Sequence, residues 1–334
     1  MILVTGGCGY IGSHAVVDLA VQGYELIILD NLSNSSENII YKINEITKKK
    51  IQFIQGDIRD RKLLESIFKK YNISAVFHFA GLKSVSQSII SPIEYYSNNV
   101  VGTINLLQVM QLSNVNKMVF SSSATIYSSD NPLPWSEDDK LAISTHPYGN
   151  SKVTVENILK SISSIDKNWK IAVLRYFNPI GAHESGLIGE FNIKQSSNLI
   201  PSISRVALGI SDFLKIFGDD FETEDGSGIR DYIHIDDLIR GHALAFNYLD
   251  KNDGYFCWNL GTGKGFSVFE IIEEFELVSK KKIKYKIVGR RSGDLGQYWS
   301  NTKKAEKELK WFPQKNLKQM IEDTWRFINN QEKY

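Results

Sequence analysis

Short apolar runs recur through the first half of the chain, and segments with a helical pattern separate them. The runs cover residues 2–5, 24–30, 51–54, 75–80, 117–120 and 170–176. Strands that alternate with helices pack as a parallel sheet with helices on both faces, because each connection must cross back over the sheet. Residues 1–178 are therefore predicted to form an α/β domain with a doubly wound, Rossmann-type parallel sheet.

Beyond residue 178 the regular alternation ends. Residues 179–197 contain glycines and no apolar period, and only short strands and helices follow them. We expect a smaller C-terminal α/β domain over 179–334 that binds the substrate. The strand–helix–strand pattern at 231–260 resembles the first domain, so we expect this unit to return there. Asp236 is expected to cap its helix.

Charge and composition argue against several classes of protein. The net charge is +1, so nothing in the charge balance indicates a nucleic-acid or membrane partner. No apolar run approaches the roughly 18 residues of a membrane span, and no basic leader precedes the first strand. Cys8 and Cys257 are too few for a disulfide framework and suit a reducing, cytoplasmic compartment. The scattered histidines lack metal-binding spacing, so we expect no metal site.

A glycine-rich turn joins the first strand to the first helix. Gly6, Gly9 and Gly12 allow a close backbone approach, and the helix N-terminus offers N–H groups to a pyrophosphate. Asp30 closes the second strand 18 residues later, where a carboxylate binds ribose hydroxyls and repels a 2′-phosphate. The pattern favours NAD over NADP. A plain glycine turn and a turn-capping Asp30 are the structural alternatives, and Asp57 could bond the adenine amine.

Tyr148 and Lys152 are four residues apart on a helix that Pro147 is expected to start, so they share one face. An ammonium within about 4 Å stabilises a phenolate by about 4 kcal/mol, or roughly three pKa units. The pair can therefore make a general base, although such spacing also arises by chance on surface helices. Ser123 ends the fifth strand, at the sheet edge where α/β proteins bind ligands. It could bond a substrate hydroxyl beside Tyr148.

Two further polar residues have both structural and functional interpretations. Asn98 lies near the start of a helix predicted from Pro92 to about Ser113, where it could hold the cofactor or neighbouring backbone. His78 lies inside the fourth apolar run and is expected to be a satisfied core group rather than a base.

In this order and spacing, these residues resemble the extended short-chain dehydrogenase/reductase family. Within that family, longer motifs look like those of the UDP-glucose 4-epimerases, and the likeness extends over essentially the whole chain. The motifs are 5–14, 78–83, 121–127, 174–179 and 228–234. Two departures are mild: Cys8 and Ser128 stand where serine and glycine are usual.

The resemblance implies an isomerase that interconverts UDP-glucose and UDP-galactose with bound NAD. Tyr148 takes the proton of the C4 hydroxyl while NAD takes the C4 hydride. The 4-keto intermediate rotates and is reduced on its opposite face. Ser123 bonds the same oxygen, and Lys152 holds the nicotinamide ribose and lowers the pKa of Tyr148.

The resemblance also assigns binding residues. Those expected to bind NAD are Gly6, Gly9, Tyr10, Ile11, Gly12, Asp30, Asn31, Asn34, Ser35, Asp57, Ile58, Phe79, Ala80, Gly81, Lys83, Asn98, Tyr148, Lys152 and Phe177. Those expected to bind the UDP-sugar are Ser123, Asn178, Asn198, Leu199, Phe217, Arg230, Tyr232, Arg291, Asp294 and Tyr298. Arg230 and Arg291 suit a pyrophosphate because a guanidinium forms bidentate pairs, although Arg291 could instead pair with Asp294. Tyr298 is expected to narrow the sugar pocket against N-acetylated sugars.

Three other functions remain open. One is a UDP-GlcNAc/UDP-GalNAc 4-epimerase. Another is a nucleotide-sugar 4,6-dehydratase, which would need acidic residues where Ala124 and Thr125 stand. The third is a non-catalytic NAD-binding regulator, which should have lost part of the Ser–Tyr–Lys set. The resemblance also implies a homodimer formed through helices at about 92–113 and 147–165.

Overall fold

The computed structural model describes residues 1–142, 146–190, 198–291 and 293–331. The strands are β1 Ile2–Thr5, β2 Leu26–Asp30, β3 Gln52–Gln55, β4 Ala75–His78, β5 Lys117–Ser123, β6 Lys170–Tyr176, β7 Asn178–Ile180, β8 Leu214–Phe217, β9 Ile229–His234, β10 Gly254–Leu260, β11 Gly265–Ser267, β12 Tyr285–Val288 and β13 Gln297–Tyr298. The helices are α1 Tyr10–Val21, α2 Asn38–Thr47, α3 Arg61–Lys70, α4 Val85–Ile90, α5 Pro92–Tyr96, α6 Gly102–Leu112, α7 Pro147–Ile165, α8 Leu199–Ala207, α9 Ile235–Tyr248, α10 Val268–Ser279, α11 Lys303–Leu309 and α12 Leu317–Gln331.

The large sheet has seven parallel strands in the order β10-β6-β5-β4-β1-β2-β3. Successive residues of β1 point to opposite faces, so Val4 joins one buried apolar cluster and Leu3 joins the other. Helices cover both faces, which confirms the predicted doubly wound fold. The strand order reverses between β1 and β4, and sheets of this kind bind ligands at that point.

The second half of the chain forms two smaller sheets. In one, β9 pairs with β7, β11 and β13; in the other, β8 pairs with β12. A separate apolar core, which includes Ile203, Ile216 and Phe275, lies beneath them.

The 231–260 unit divides between the two parts of the molecule. β10 extends the large sheet beside β6, whereas β9 belongs to a small sheet, so the expectation for the strand at 231–235 was wrong. β9 lies in the small sheet because β7, β11 and β13 all pair with it through backbone hydrogen bonds. The helix cap was also wrong, because the His234 side chain accepts the hydrogen bond from the Asp236 N–H and Asp236 lies in the first turn.

The helix predicted from Pro92 to about Ser113 is interrupted. A π-helical segment, Ser97–Val101, separates α5 from α6, and the unpredicted α4 precedes them. The wider turn holds Asn98 and Asn99 in buried positions. Across the described ranges, we find no helix with the length and apolar character needed to cross a bilayer.

His78 is a core group, as predicted. Its Nδ1 lies 2.6 Å from the Thr5 hydroxyl and its Nε2 lies 2.8 Å from the Thr103 hydroxyl. Burial, with a smaller effect of the Lys152 charge, lowers the pKa of His78 to about 3. The ring is therefore neutral and fully engaged.

Candidate active site

The glycine-rich turn leaves no room for side chains. Gly6 has a φ of +71°, and a Cβ atom there would lie 2.6 Å from the Ala80 backbone nitrogen. A Cβ atom at Gly12 would lie 2.1 Å from the Gly6 carbonyl oxygen. Gly9 caps α1 without any side-chain hydrogen bond, so the first N–H groups of the helix face the turn. This cradle fits the pyrophosphate of a dinucleotide.

The residues predicted to bind NAD follow the carboxyl ends of adjacent strands. They lie after β1 (Gly6, Gly9, Tyr10, Ile11, Gly12), β2 (Asp30, Asn31, Asn34, Ser35), β3 (Asp57, Ile58) and β4 (Phe79, Ala80, Gly81, Lys83), with Asn98 on the π-helical segment. One sheet edge thus gathers four segments that are far apart in the sequence.

Asp30 organises the loop that follows β2. One carboxylate oxygen accepts from the Cys8 N–H, and the other accepts from the Leu32 N–H and the Ser35 hydroxyl. The turn-capping alternative therefore describes part of what Asp30 does. Its carboxylate is held beside the glycine turn, in reach of a ligand seated there.

Two predicted cofactor residues have protein partners of their own. Asp57 forms an ion pair with Arg59 at 2.7 Å and accepts from Asn31. The hydrogen bond from Arg59 lowers the pKa of Asp57 to about 2, so this carboxylate is charged. The Tyr10 hydroxyl donates to the Gly181 carbonyl, which joins α1 to the second half of the chain.

Asn99, which the sequence analysis did not single out, fixes the loop after β4. Its side chain accepts from the Leu82 N–H and donates to the Leu82 carbonyl and the Ser151 hydroxyl. Asn98 donates to the Asn99 side-chain oxygen at 3.0 Å. Lys83, in the same loop, pairs with Glu190 at 3.1 Å. In the sequence, the adjacent asparagines at 98 and 99 were the only signal that could have indicated this role of Asn99.

Ser123, Tyr148 and Lys152 come together at the carboxyl end of β5. Pro147 starts α7, as predicted, and Tyr148 is its next residue. The Ser123 side chain is close enough to Tyr148 to favour the ionised form of the phenol. The three residues are only 7–8% exposed, so the site is shielded from bulk water.

Burial opposes the ionisation of Tyr148. It raises the pKa of the phenol, and the Ser123 side chain only partly offsets this effect. From the sequence, Lys152 is expected to lower the pKa of Tyr148. In the structure, the protein groups alone leave this pKa raised instead, because the desolvation of the phenolate dominates. Burial also lowers the pKa of Lys152 to about 8, although the Glu156 charge acts in the opposite direction.

The second half of the chain supplies the cationic side chains. Arg230 lies 3.9 Å from Asp294, and its guanidinium stands over the Tyr298 ring at 4.6 Å. Arg291 stands over the Phe217 ring at 3.8 Å. Two guanidinium groups held against aromatic faces form a surface suited to phosphate groups.

Other predicted substrate residues lie on β7 and β9 and at the start of α8. Asn178 on β7 pairs in register with Tyr232 on β9, and its side chain lies 3.5 Å from the Tyr298 hydroxyl. Phe177 packs near Tyr298, at 6.1 Å between ring centroids. The remaining two stand at the start of α8, where Asn198 is the cap and Leu199 the first residue.

A buried polar network behind Ser123, Tyr148 and Lys152 was also missed. Arg175 pairs with Glu156 at 2.6 Å, and the Glu156 carboxylate also accepts from the hydroxyls of Ser122 and Tyr255. The network joins β5, β6, α7 and β10. An arginine inside an otherwise apolar strand was the signal that could have revealed it.

The family model described as GDP-mannose 4,6 dehydratase matches residues 3–324. The UDP-glucose 4-epimerase of Erwinia amylovora is 48% identical over 98% of this chain and 97% of its own length. That of Bacillus subtilis is 45% identical over 98% and 96%. The chain is also similar to the crystal structure of the Stenotrophomonas maltophila UDP-glucose-4-epimerase with NAD and formylated UDP-arabinopyranose (TM-score 0.96, 42% identity, coverage 99% and 98%). The Bifidobacterium longum enzyme in complex with NAD+ and UDP gives a TM-score of 0.95 at 42% identity, with coverage of 99% and 98%. With this site and these relatives, the chain belongs to the UDP-glucose 4-epimerase family.

Proposed function

We propose that this protein interconverts UDP-glucose and UDP-galactose by inverting the configuration at C4 of the sugar. The observation that carries the proposal is that Ser123, Tyr148 and Lys152 are buried together at the end of β5, with Lys152 one turn beyond Tyr148 on α7. A phenol, a hydroxyl and an ammonium can remove and return one proton in a site shielded from water.

When bound, NAD would supply reversible hydride transfer at C4, which would let the sugar be reduced on the opposite face of its ring. The glycine turn would hold its pyrophosphate, and Asp30 would hold its adenosine ribose. Lys152 would hold the second ribose, beside the loop that Asn99 fixes. Because the hydride is returned, the reaction involves no net oxidation, and added NAD is not consumed.

Tyr148 takes the proton from the C4 hydroxyl, and Ser123 holds the same oxygen and passes the proton. Positive charge beside Tyr148 must offset the burial that raises its pKa, and Lys152 is the protein group placed to supply part of it. The acid-free positions Ala124 and Thr125 favour this proton transfer over a dehydration, which needs a further acid and base.

The second half of the chain would hold UDP firmly while the hexose turns. Arg230 and Arg291 would bind the pyrophosphate, and Asp294 the uridine ribose. We propose residues 1–178, together with α9 and β10, as the NAD-binding part and the rest of 179–334 as the UDP-sugar-binding part. Tyr298 would limit the sugar pocket, so that UDP-glucose and UDP-galactose are preferred over their N-acetylated counterparts.

The test is to incubate the purified protein with UDP-galactose, without added NAD, and to separate the products by anion-exchange chromatography. UDP-glucose is the expected product. A 4-keto-6-deoxy sugar would identify a dehydratase instead, and the absence of any turnover would identify a non-catalytic binder. Turnover of UDP-GlcNAc at a rate similar to that of UDP-galactose would overturn the proposed substrate preference.

We further propose a homodimer and a cytoplasmic location. Ile90, Ile93 and Ile165 are 75%, 83% and 86% exposed, and they lie on α4, α5 and the end of α7. Apolar side chains this exposed are suited to an interface with a second copy. A dimer mass in light scattering, converted to a monomer mass by Ile93→Glu, would support the homodimer.

The proposed cytoplasmic location rests on the cysteines. Cys8 and Cys257 are free and buried, which suits a reducing compartment.

A further inference from the structure

Trp135 lies in the loop between β5 and α7, outside every motif that carries the family resemblance. The side chain is 3% exposed and packs with Ala124, Tyr127 and Phe177. Its indole is stacked on the Tyr298 ring, with 5.1 Å between centroids and 3° between the planes. Two segments more than 160 residues apart in the sequence thus meet face to face.

The backbone of Trp135 is fixed to the residues just after Tyr298. Its N–H donates to the Trp299 carbonyl at 3.0 Å, and its carbonyl accepts from the Asn301 N–H at 2.8 Å. The Asn259 side chain donates to the same carbonyl. These bonds fix the backbone of Trp135 beside Tyr298, and the apolar cluster packs around its side chain.

Stacking, rather than hydrogen bonding, sets the orientation of the Tyr298 ring. Its hydroxyl lies 3.5 Å from the Asn178 side-chain oxygen, which is too long for a strong hydrogen bond. The Arg230 guanidinium also stands over the ring at 4.6 Å. The ring is therefore confined by two planar groups, of which only Trp135 is buried within an apolar cluster.

We propose that Trp135 is a positioning residue that sets the substrate range through Tyr298. By fixing the orientation of the Tyr298 ring, Trp135 keeps the sugar pocket too small for a UDP-hexose with an acetamido group at C2. This inference rests on the proposed function, in which Tyr298 borders the sugar. The substrate class it excludes is the UDP-N-acetylhexosamines.

The indole N–H shows that stacking, rather than hydrogen bonding, is the property of Trp135 that matters. Trp135 Nε1 is buried and makes no hydrogen bond to any of the residues that the structure describes. A phenylalanine would therefore lose no hydrogen bond there and would keep an aromatic face, whereas an aliphatic residue would fill the space without stacking. Trp135→Phe is thus the conservative variant and Trp135→Leu the disruptive one.

The test compares wild type, W135F, W135L, Y298S and the double variant W135L/Y298S. W135M is measured beside W135L, so that the comparison survives if one aliphatic variant does not fold. For each protein, kcat and KM are determined with UDP-galactose and with UDP-GalNAc. The quantity of interest is the ratio of the two kcat/KM values.

W135L should raise the UDP-GalNAc to UDP-galactose ratio at least about tenfold, the size that a small change in pocket volume commonly produces. The rise should come mainly from a lower KM for UDP-GalNAc. W135F should keep a ratio within about threefold of wild type. Because Trp135 acts through Tyr298, W135L should change the ratio far less in the Y298S background.

The inference is overturned if W135L and W135M leave the ratio unchanged while UDP-galactose is still converted. It is also overturned if the effects of W135L and Y298S multiply, because Trp135 would then act independently of the tyrosine. A wild-type protein that does not convert UDP-galactose would overturn the proposed function itself, and this inference with it. If Y298S converts UDP-galactose with the wild-type ratio, Tyr298 does not border the sugar; the inference then falls together with the proposed role of Tyr298, while the epimerase activity stands.

Discussion

The ammonium of Lys152 lies 2.7 Å from the carbonyl oxygen of Ser121, on the strand that ends at Ser123. This hydrogen bond ties the first turns of α7 to the end of β5. The helix that carries Tyr148 is thereby held against the strand that carries Ser123. Lys152 consequently has a structural partner in addition to its two proposed roles. These are to supply positive charge beside Tyr148 and to hold the second ribose of NAD.

Replacing Tyr148 with phenylalanine should lower kcat by about 10² to 10⁴-fold, because the proposed acid–base group is lost. The affinity for UDP should change little, since the residues proposed to hold the nucleotide lie in the second half of the chain. Steady-state kinetics and isothermal titration with UDP measure the two effects. Near-normal turnover of Y148F would show that Tyr148 is not the base.

Replacing Lys152 with methionine should impair both turnover and the binding of NAD. The side chain loses its hydrogen bond to Ser121 and the positive charge beside Tyr148. NAD released on denaturation and the rate with UDP-galactose are the two readouts. Lys160→Met, an exposed position on the same helix, is the matched control and should leave both unchanged. Full activity of K152M would refute the assignment.

The pH dependence should report the charge of Lys152. Burial lowers its pKa from the ordinary value of 10.5 to about 8. Because the proposed mechanism needs the ammonium, kcat/KM for UDP-galactose should fall as the pH rises above about 8. The same shift means that a charged Lys152 costs folding stability below pH 8, and that this cost is relieved as the pH rises toward the unfolded value. A kcat/KM that stays flat up to pH 10 would contradict the role of the charge.

Gly12 should be intolerant of even one added carbon. A Cβ atom there would lie 2.1 Å from the Gly6 carbonyl oxygen, so Gly12→Ala must open the turn that is proposed to bind the pyrophosphate. The variant should purify with much less NAD, measured by chromatography after denaturation. Gly289→Ala is the control, because no atom lies within 4 Å of the added carbon. Equal NAD content in the two variants would exclude this turn as the binding site.

The buried Arg175–Glu156 pair should matter for stability. Removing one partner leaves a buried charge unpaired, so Glu156→Ala should lower the free energy of unfolding by about 3–5 kcal/mol. The exposed pair Arg61–Glu65 offers the comparison, and Glu65→Ala should cost less than about 1 kcal/mol. Urea denaturation followed by fluorescence measures both. A loss below 1 kcal/mol for Glu156→Ala would mean that the network is not a source of stability.

The sequence by itself determined the parallel sheet, the cradle at Gly6–Gly12 and the common helix face of Tyr148 and Lys152. These features follow from local patterns, because strand and helix periods and glycine spacing are written within short stretches of chain. Only the tertiary structure decided that β9 joins the small sheet, that His234 rather than Asp236 caps α9, and that Trp135 stacks on Tyr298. Such contacts join residues far apart in the sequence. The tertiary structure likewise decided that the pKa of Tyr148 is raised. Burial depends on everything packed around the phenol, and here its effect outweighs that of the Ser123 side chain.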